Sequence, residues 1–258
     1  MYATNYFETA ILNLLRGTSI TAPSTVYLAL FLNNPTETGA AGTEIAYTGY
    51  ARKSISFSTP AEMNNGIGIE NSQEITFPTA PTAAGTVTHV GIMDSLTGGN
   101  MLVYGELTDP LVVNAGEAPV VVAGEASWWL SGNMSNTYKT KVLNVLRGQN
   151  CPGFTPYLAL FNGNPDSGGS ELNGTGYSRH AITFGAPSEQ TSGQMMIQNS
   201  ARVSTSRAAA AWGNWSYTAV YDAASNGNPV FFASRTSKEF RKGLMAIVDI
   251  GNMKLAVN

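Results

Sequence analysis

Charge is scarce in this chain. Only 12 % of its 258 residues are Asp, Glu, Lys or Arg, against about 25 % in ordinary globular domains. A surface covered mainly by Ser, Thr, Asn and Gly is implied. The small formal charge of −3 and the isoelectric point near 5.4 leave no basic field with which to neutralise phosphates, so nucleic acid is excluded as the main partner. Cysteine is nearly absent. The single Cys151 forms no intramolecular disulfide and has none of the thiol and imidazole neighbours that a structural zinc site needs. No window approaches the roughly 18 consecutive apolar residues of a membrane span. The first residues, Met1 to Asn5, show no basic segment followed by an apolar stretch, so no secretory signal is expected. Folding in a reducing cytosol is the expectation.

What is abundant is repetition. Asn5-Tyr-Phe-Glu-Thr-Ala-Ile-Leu-Asn-Leu-Leu-Arg-Gly17 reads again as Asn136-Thr-Tyr-Lys-Thr-Lys-Val-Leu-Asn-Val-Leu-Arg-Gly148. Tyr27-Leu-Ala-Leu-Phe31 returns as Tyr157-Leu-Ala-Leu-Phe161, each followed by Asn-Pro, at Asn34-Pro35 and Asn164-Pro165. Thr48-Gly-Tyr-Ala-Arg52 returns as Thr175-Gly-Tyr-Ser-Arg179, and residues 85–94 align without gaps on 213–222. The offset drifts only between about 127 and 131 residues, and so long a collinear series predicts two tandem copies of one fold. The split falls within residues 131–135, giving expected domains of 1–131 and 132–258. Each copy, having its own helix and strand set, is expected to fold alone with its burial mostly internal.

Each copy opens with an amphipathic helix. In the first, Asn5 is the expected cap and Glu8 completes a capping box. Phe7, Ile11, Leu14 and Leu15 share one face, and Gly17 stops the helix. In the second, Tyr138, Val142, Val145 and Leu146 take the same face before Gly148. The remainder reads as short strands between Gly, Pro and Asn punctuation, at 26–32, 52–57, 74–77, 86–93, 101–107 and 120–123 of copy one. Val87, Val90 and Ile92 are expected on one buried face. The fold class is therefore mainly β: two tandem antiparallel β-sandwich-like domains, each preceded by one helix.

Candidate sites reduce to framework. His89 and His180, the only histidines, do not occupy equivalent places, so no shared imidazole mechanism is expected, and neither lies near a nucleophile motif. Asp94 and Asp222 are equivalent, each ending a strand before a Gly-containing turn whose amides an aspartate accepts. Arg52 and Arg179 both follow Gly-Tyr, where a guanidinium pairs with a carboxylate or lies on the preceding tyrosine. Residues 166–171 carry two carboxylates in a loop but lack the alternating ligands of a calcium loop. Gly66 and Gly68 form no phosphate-binding fingerprint. No catalytic, metal or cofactor site is assigned, and no cofactor is expected.

Two features point outward, as interface candidates. Trp128 and Trp129 are adjacent, so one ring of the pair faces away from its own core and is suited to the junction between the copies. Residues 235–242 concentrate positive charge, including Lys238, Arg241 and Lys242, that copy one lacks at 107–114.

The ordered block of residues 14–17, 27–31, 34–39, 42–52, 77–78, 85–94 and 97–100 resembles a family of small tailed-phage virion proteins, usually labelled tail fibre or head decoration proteins. The resemblance covers nearly all of copy one and, more loosely, copy two, which departs most at 201–211 and in its basic final third. It implies a non-enzymatic structural role on a phage particle, assembly in the bacterial cytoplasm, and major capsid or tail proteins as partners. Without coiled-coil heptads or a collagen period to build a long shaft, a capsid-surface decoration or cement protein is the expectation. The alternative is a tail fibre or receptor-binding module that reads a host-surface glycan, and a glycan hydrolase comes third. A homo-oligomer is expected, with a trimer presenting six alike modules to a six-fold site.

Overall fold

In the computed structural model, which describes residues 2–257, the chain is mainly β. The first half runs β1 (Tyr2–Ala3), α1 (Asn5–Asn13), β2 (Val26–Phe31), β3 (Lys53–Ile55), β4 (Ala61–Met63), β5 (Gly66–Glu70), β6 (Ile75–Thr76), β7 (Gly85–Met93), β8 (Met101–Val113), β9 (Val120–Val121) and β10 (Ser127–Leu130). The second runs α2 (Asn136–Val145), β11 (Tyr157–Phe161), β12 (His180–Ala181), β13 (Ser188–Glu189), β14 (Met195–Gln198), β15 (Val203–Ser204), β16 (Gly213–Tyr221), β17 (Pro229–Phe240), β18 (Ile247–Val248) and β19 (Lys254–Ala256). Each half holds a large antiparallel sheet, ordered β1-β8-β7-β2-β3 or β12-β11-β16-β17. Each also holds a three-stranded sheet, β10-β5-β4 or β13-β14-β19, and a two-stranded ribbon, β6-β9 or β15-β18.

The strands at 26–31 and 85–93 lie where the apolar pattern places them, whereas β8 runs on past the expected 107 to Val113, because residues 111–113 pair with 85–87. The Val87 and Val90 pair shows how a sequence reading and a pleat are reconciled: residues three apart fall on opposite faces of a regular strand. Strands β7 and β8 shift register between Val87 and His89, where residues 107–110 of β8 stand opposite Thr88 alone, and Val87, Val90 and Ile92 all enter the core. Strands β4, β5 and β10 were not among the expected elements. The glycines of β5 and Ala61 and Glu62 of β4 weaken the β signal, and burial of Ile67, Ile69 and Leu130 outweighs it.

The cap of the first helix lies one residue earlier than expected. Thr4, not Asn5, caps α1: its hydroxyl accepts from the Phe7 amide and donates to the Met101 carbonyl at 2.6 Å. Ser135 does the same for α2, accepting from Tyr138 and donating to the Pro229 carbonyl. These caps also tie each helix to the start of a long strand of its own half. Asn5 instead donates to the Glu189 carboxylate in the second half.

Glu8 does not close a capping box. It is buried, and its carboxylate accepts the Met195 amide of β14 at 2.8 Å. This contact exposes the main feature of the packing. Helix α1 lies between β8 of its own half and the β14-β19 sheet of the other, while α2 lies between β17 of its own half and β5 of the first. A helix covered on two sides needs apolar residues beyond a single stripe, which is why Leu12 and its equivalent Leu143, outside the expected faces, are fully buried. One continuous core results, holding Phe7, Leu12 and Trp128 together with Tyr138, Leu143 and Ile197. A local two-fold relates the halves. Ile20 and Cys151, which are equivalent residues, exchange reciprocal backbone hydrogen bonds at 2.8 and 3.0 Å.

Burial pushes the Glu8 carboxyl up from 4.5 to about 7, partly offset by the Met195 hydrogen bond and reinforced by the nearby Glu37 charge. At the equivalent position, burial lowers the Lys139 ammonium, opposed by Asp166. Because the folded Glu8 binds its proton more tightly than the unfolded chain does, its contribution to stability is complete below about pH 4.5 and is lost as pH rises through about 7. The loss is on the order of 3 kcal/mol. Glu8→Gln keeps an acceptor for Met195 and removes the titration. Denaturant melts of this variant are expected to show a flatter pH profile and higher stability at pH 8 than the parent chain, and an unchanged slope between pH 5 and 8 would contradict this role.

Candidate functional site

Three constellations stand out, two of them repeated. In the first, the Arg52 guanidinium grips the Glu44 carboxylate through Nε at 3.0 Å and Nη2 at 2.8 Å, while Nη1 donates to the Ser95 and Gly98 carbonyls at 2.9 and 2.7 Å. Tyr50 donates to the same carboxylate and accepts the Leu30 amide. Arg179, Glu171, Tyr177, Ala223, Asn226 and Leu160 repeat the arrangement. The fork matches a carboxylate in two bonds, so each arginine staples a turn to its sheet. Arg179 also lies over an aromatic ring, but that ring is Tyr221, 3.6 Å away, and not the preceding Tyr177. Burial pushes the Tyr50 and Tyr177 hydroxyls well above their usual range. The sequence did not single out Glu44 and Glu171 as the carboxylates these arginines meet, although Gly-Thr-Glu44 and Gly-Ser-Glu171 recur eight residues before each arginine.

The second constellation is the aspartate turn. Asp94 accepts the Asn100 amide at 2.7 Å and its side chain at 2.9 Å, and Asp222 accepts the same groups of Asn228. A Cβ on Gly99 or Gly227 would collide with these carboxylates, and both glycines sit at positive φ. Asp222 additionally accepts the Tyr138 hydroxyl of α2 at 2.9 Å and pairs with Lys141 at 3.5 Å. Burial alone would raise Asp222, but the Asn228 and Tyr138 hydrogen bonds hold it below the usual carboxylate range. Arginine and aspartate together hold the loop at one end of each large sheet.

The third constellation differs between the halves. Two clefts occupy equivalent places beside β8 and β17, with volumes of about 350 and 500 Å³. The first is lined by Glu106, Asp109 and Glu125, the second by Arg235, Lys238 and Lys254. Arg235 stacks on Trp215 at 3.4 Å, and one of its guanidinium nitrogens is enclosed without a hydrogen-bond partner. Lys238, Arg241 and Lys242 are exposed, and Arg241 pairs with Glu239 at 2.6 Å. Trp128 is enclosed, its ring 5.8 Å from Phe7. Trp129 is half-buried at the rim of the acidic cleft and of a second cavity reaching Glu8 and Gln194. The tryptophan pair thus divides into a core residue and a surface residue.

The other titratable candidates have internal partners. Asp166 accepts the Asn136 amide at 2.8 Å, so the 166–171 loop spends its carboxylates on α2 and on Arg179. His89 bonds Thr88 and His180 accepts the Ser206 amide. Cys151 is buried at the two-fold, and burial pushes its thiol up. Among the described residues no group of three or more His, Cys, Asp or Glu side chains gathers to hold a metal ion, and no helix is long and apolar enough to cross a membrane.

Comparison with known families gives one result. The model of a family described as Gp80, Podophage GP4 fiber I protein gp80, matches residues 2–128 and again residues 133–256. No curated protein matches the chain.

Proposed function

The chain belongs to the family of podophage GP4 fiber I protein gp80 and is a structural protein of the phage particle carrying two tandem copies, and from this we propose that it is a fibre subunit, acting through interfaces and not through bond chemistry. The observation that carries the reading is the match of both halves to a fibre protein. The geometry agrees with it. The most ordered polar groups, around Arg52, Arg179, Asp94 and Asp222, are spent on holding loops in place, and the unpartnered charge lies on open clefts. The capsid-decoration reading rested on the lack of a coiled-coil or collagen shaft, yet stacked β modules also make an extended body. Its partners on this reading are other tail proteins and further copies of itself. Immunogold labelling of intact particles tests the position. Label at the tail pole is the expected result, whereas even label over the head would return the chain to capsid decoration.

A further inference from the structure

The two clefts stand at equivalent positions and carry opposite charge. Their equivalence follows from the strand registers: Ser127 of β10 pairs with Glu70, and Lys254 of β19 pairs with Gln198. Val120 and Ile247, likewise equivalent, each line a cleft and are exposed large apolar residues. On β8 the strand bulges away from β7 between Val87 and His89, and on β17 it bulges away from β16 between Trp215 and Tyr217. The first bulge carries Asp109 and the second carries Arg235. The side chains of Glu106, Asp109, Lys238 and Lys254 make no hydrogen bond or ion pair within the described residues. In a chain with only 14 basic and 17 acidic residues, this much uncompensated charge beside exposed valine and isoleucine is the composition of an interface.

We propose that the acidic cleft of the first half docks against the basic cleft of the second half of another copy of this chain, joining copies head to tail. The charge pattern selects this occupant. A cleft set against the same cleft of a second copy would place like charges together, whereas acidic against basic neutralises both. A heterologous contact sets Glu106 and Asp109 against Lys238 and Lys254. The bulges at Asp109 and Arg235 spoil the strand edges for regular sheet extension, so side chains, and not backbone ladders, select the partner. A heterologous contact repeats, and it closes into a ring or continues as a filament according to its rotation. The inference deepens the fibre reading by naming the contact between subunits, but it concerns the chain in solution, so its failure is separate from any result of immunogold labelling.

Sedimentation velocity on the full chain tests it with charge reversals. The parent chain is expected to form species larger than a monomer at low salt and to dissociate as salt screens the contact. Glu106→Lys with Asp109→Lys makes both clefts basic, and Lys238→Glu with Lys254→Glu makes both acidic. Each variant alone is expected to associate at least roughly tenfold more weakly than the parent. Mixed in equal amounts they are expected to assemble again, because every acidic cleft then finds a basic one. Thermal melts confirm that the variants are folded, and the single reversals Glu106→Lys and Lys238→Glu replace any double variant that is not. A parent chain that stays monomeric at low salt overturns the proposal, as do variants that assemble like the parent or a mixture that stays monomeric.

Discussion

Expressed separately, residues 1–131 and 132–258 are expected to yield no folded monomer, and to recover β structure only when the two fragments are mixed. The reason lies in what each would lose. Without the second half, α1 keeps β8 but loses the β14-β19 sheet, and the β5 face that α2 covers is bare. Phe7, Ile11, Leu12, Leu14 and Leu15 are all almost fully enclosed in the intact chain. Large apolar side chains contribute roughly 1.5 to 3 kcal/mol each on burial, while a whole domain is stable by only about 5–15 kcal/mol. Uncovering one side of both helices is therefore enough to unfold either fragment. Mixing restores every contact except the covalent link at residues 131–135. Circular dichroism and mass in solution check the outcome, and a cooperative melt from either fragment as a monomer would show that 1–131 and 132–258, which stand as the proposed repeat units, are separable domains after all.

Trp128→Ala is expected to destabilise the chain by about 3–5 kcal/mol, the range for removing a large aromatic from a packed core. Its ring is only 2 % exposed and meets Phe7 of α1, so truncation opens a cavity where the first sandwich, the helix and the second half converge. In a chain of this size each kcal/mol shifts the melting temperature by roughly 2–4 °C, so the fall is readily measured. Trp129→Ala, at a half-buried cleft rim, is expected to cost under about 1.5 kcal/mol. Thermal melts of both variants decide the matter, since equal losses would mean that the two rings share one environment.

Much of this was readable from residue order. The helices announced themselves by Leu and Val spacing, and the strands at 26–31, 85–93 and the first part of β8, 101–107, by short apolar or alternating runs bounded by Gly and Asn; Asp109 and Pro110 hid the continuation of β8 to Val113. The two repeat units followed from collinear motifs without any need of structure. The exchange of helix cover between halves was not readable, because an amphipathic face says that something apolar covers it and not which sheet does so. Its only trace was Leu12 and Leu143, apolar residues off the main stripe. Glu8 looked like a capping residue because the spacing from Asn5 fits a capping box, whereas the cap fell to Thr4, whose hydroxyl also reaches the Met101 carbonyl. The basic stretch of the second half was visible, but the acidic cleft that answers it was not. Glu106 and Asp109 lie on one strand and Glu125 in a turn sixteen residues further on, and only folding brings them together.

Native-state hydrogen exchange of the intact chain measures most directly whether the two copies form one body. The amides of Ile20 and Cys151, which bond each other across the two-fold, together with those of α1 and α2, are expected to exchange with one common opening free energy equal to that of global unfolding. Early, independent exchange of all amides in one half, with the other half still protected, would contradict it.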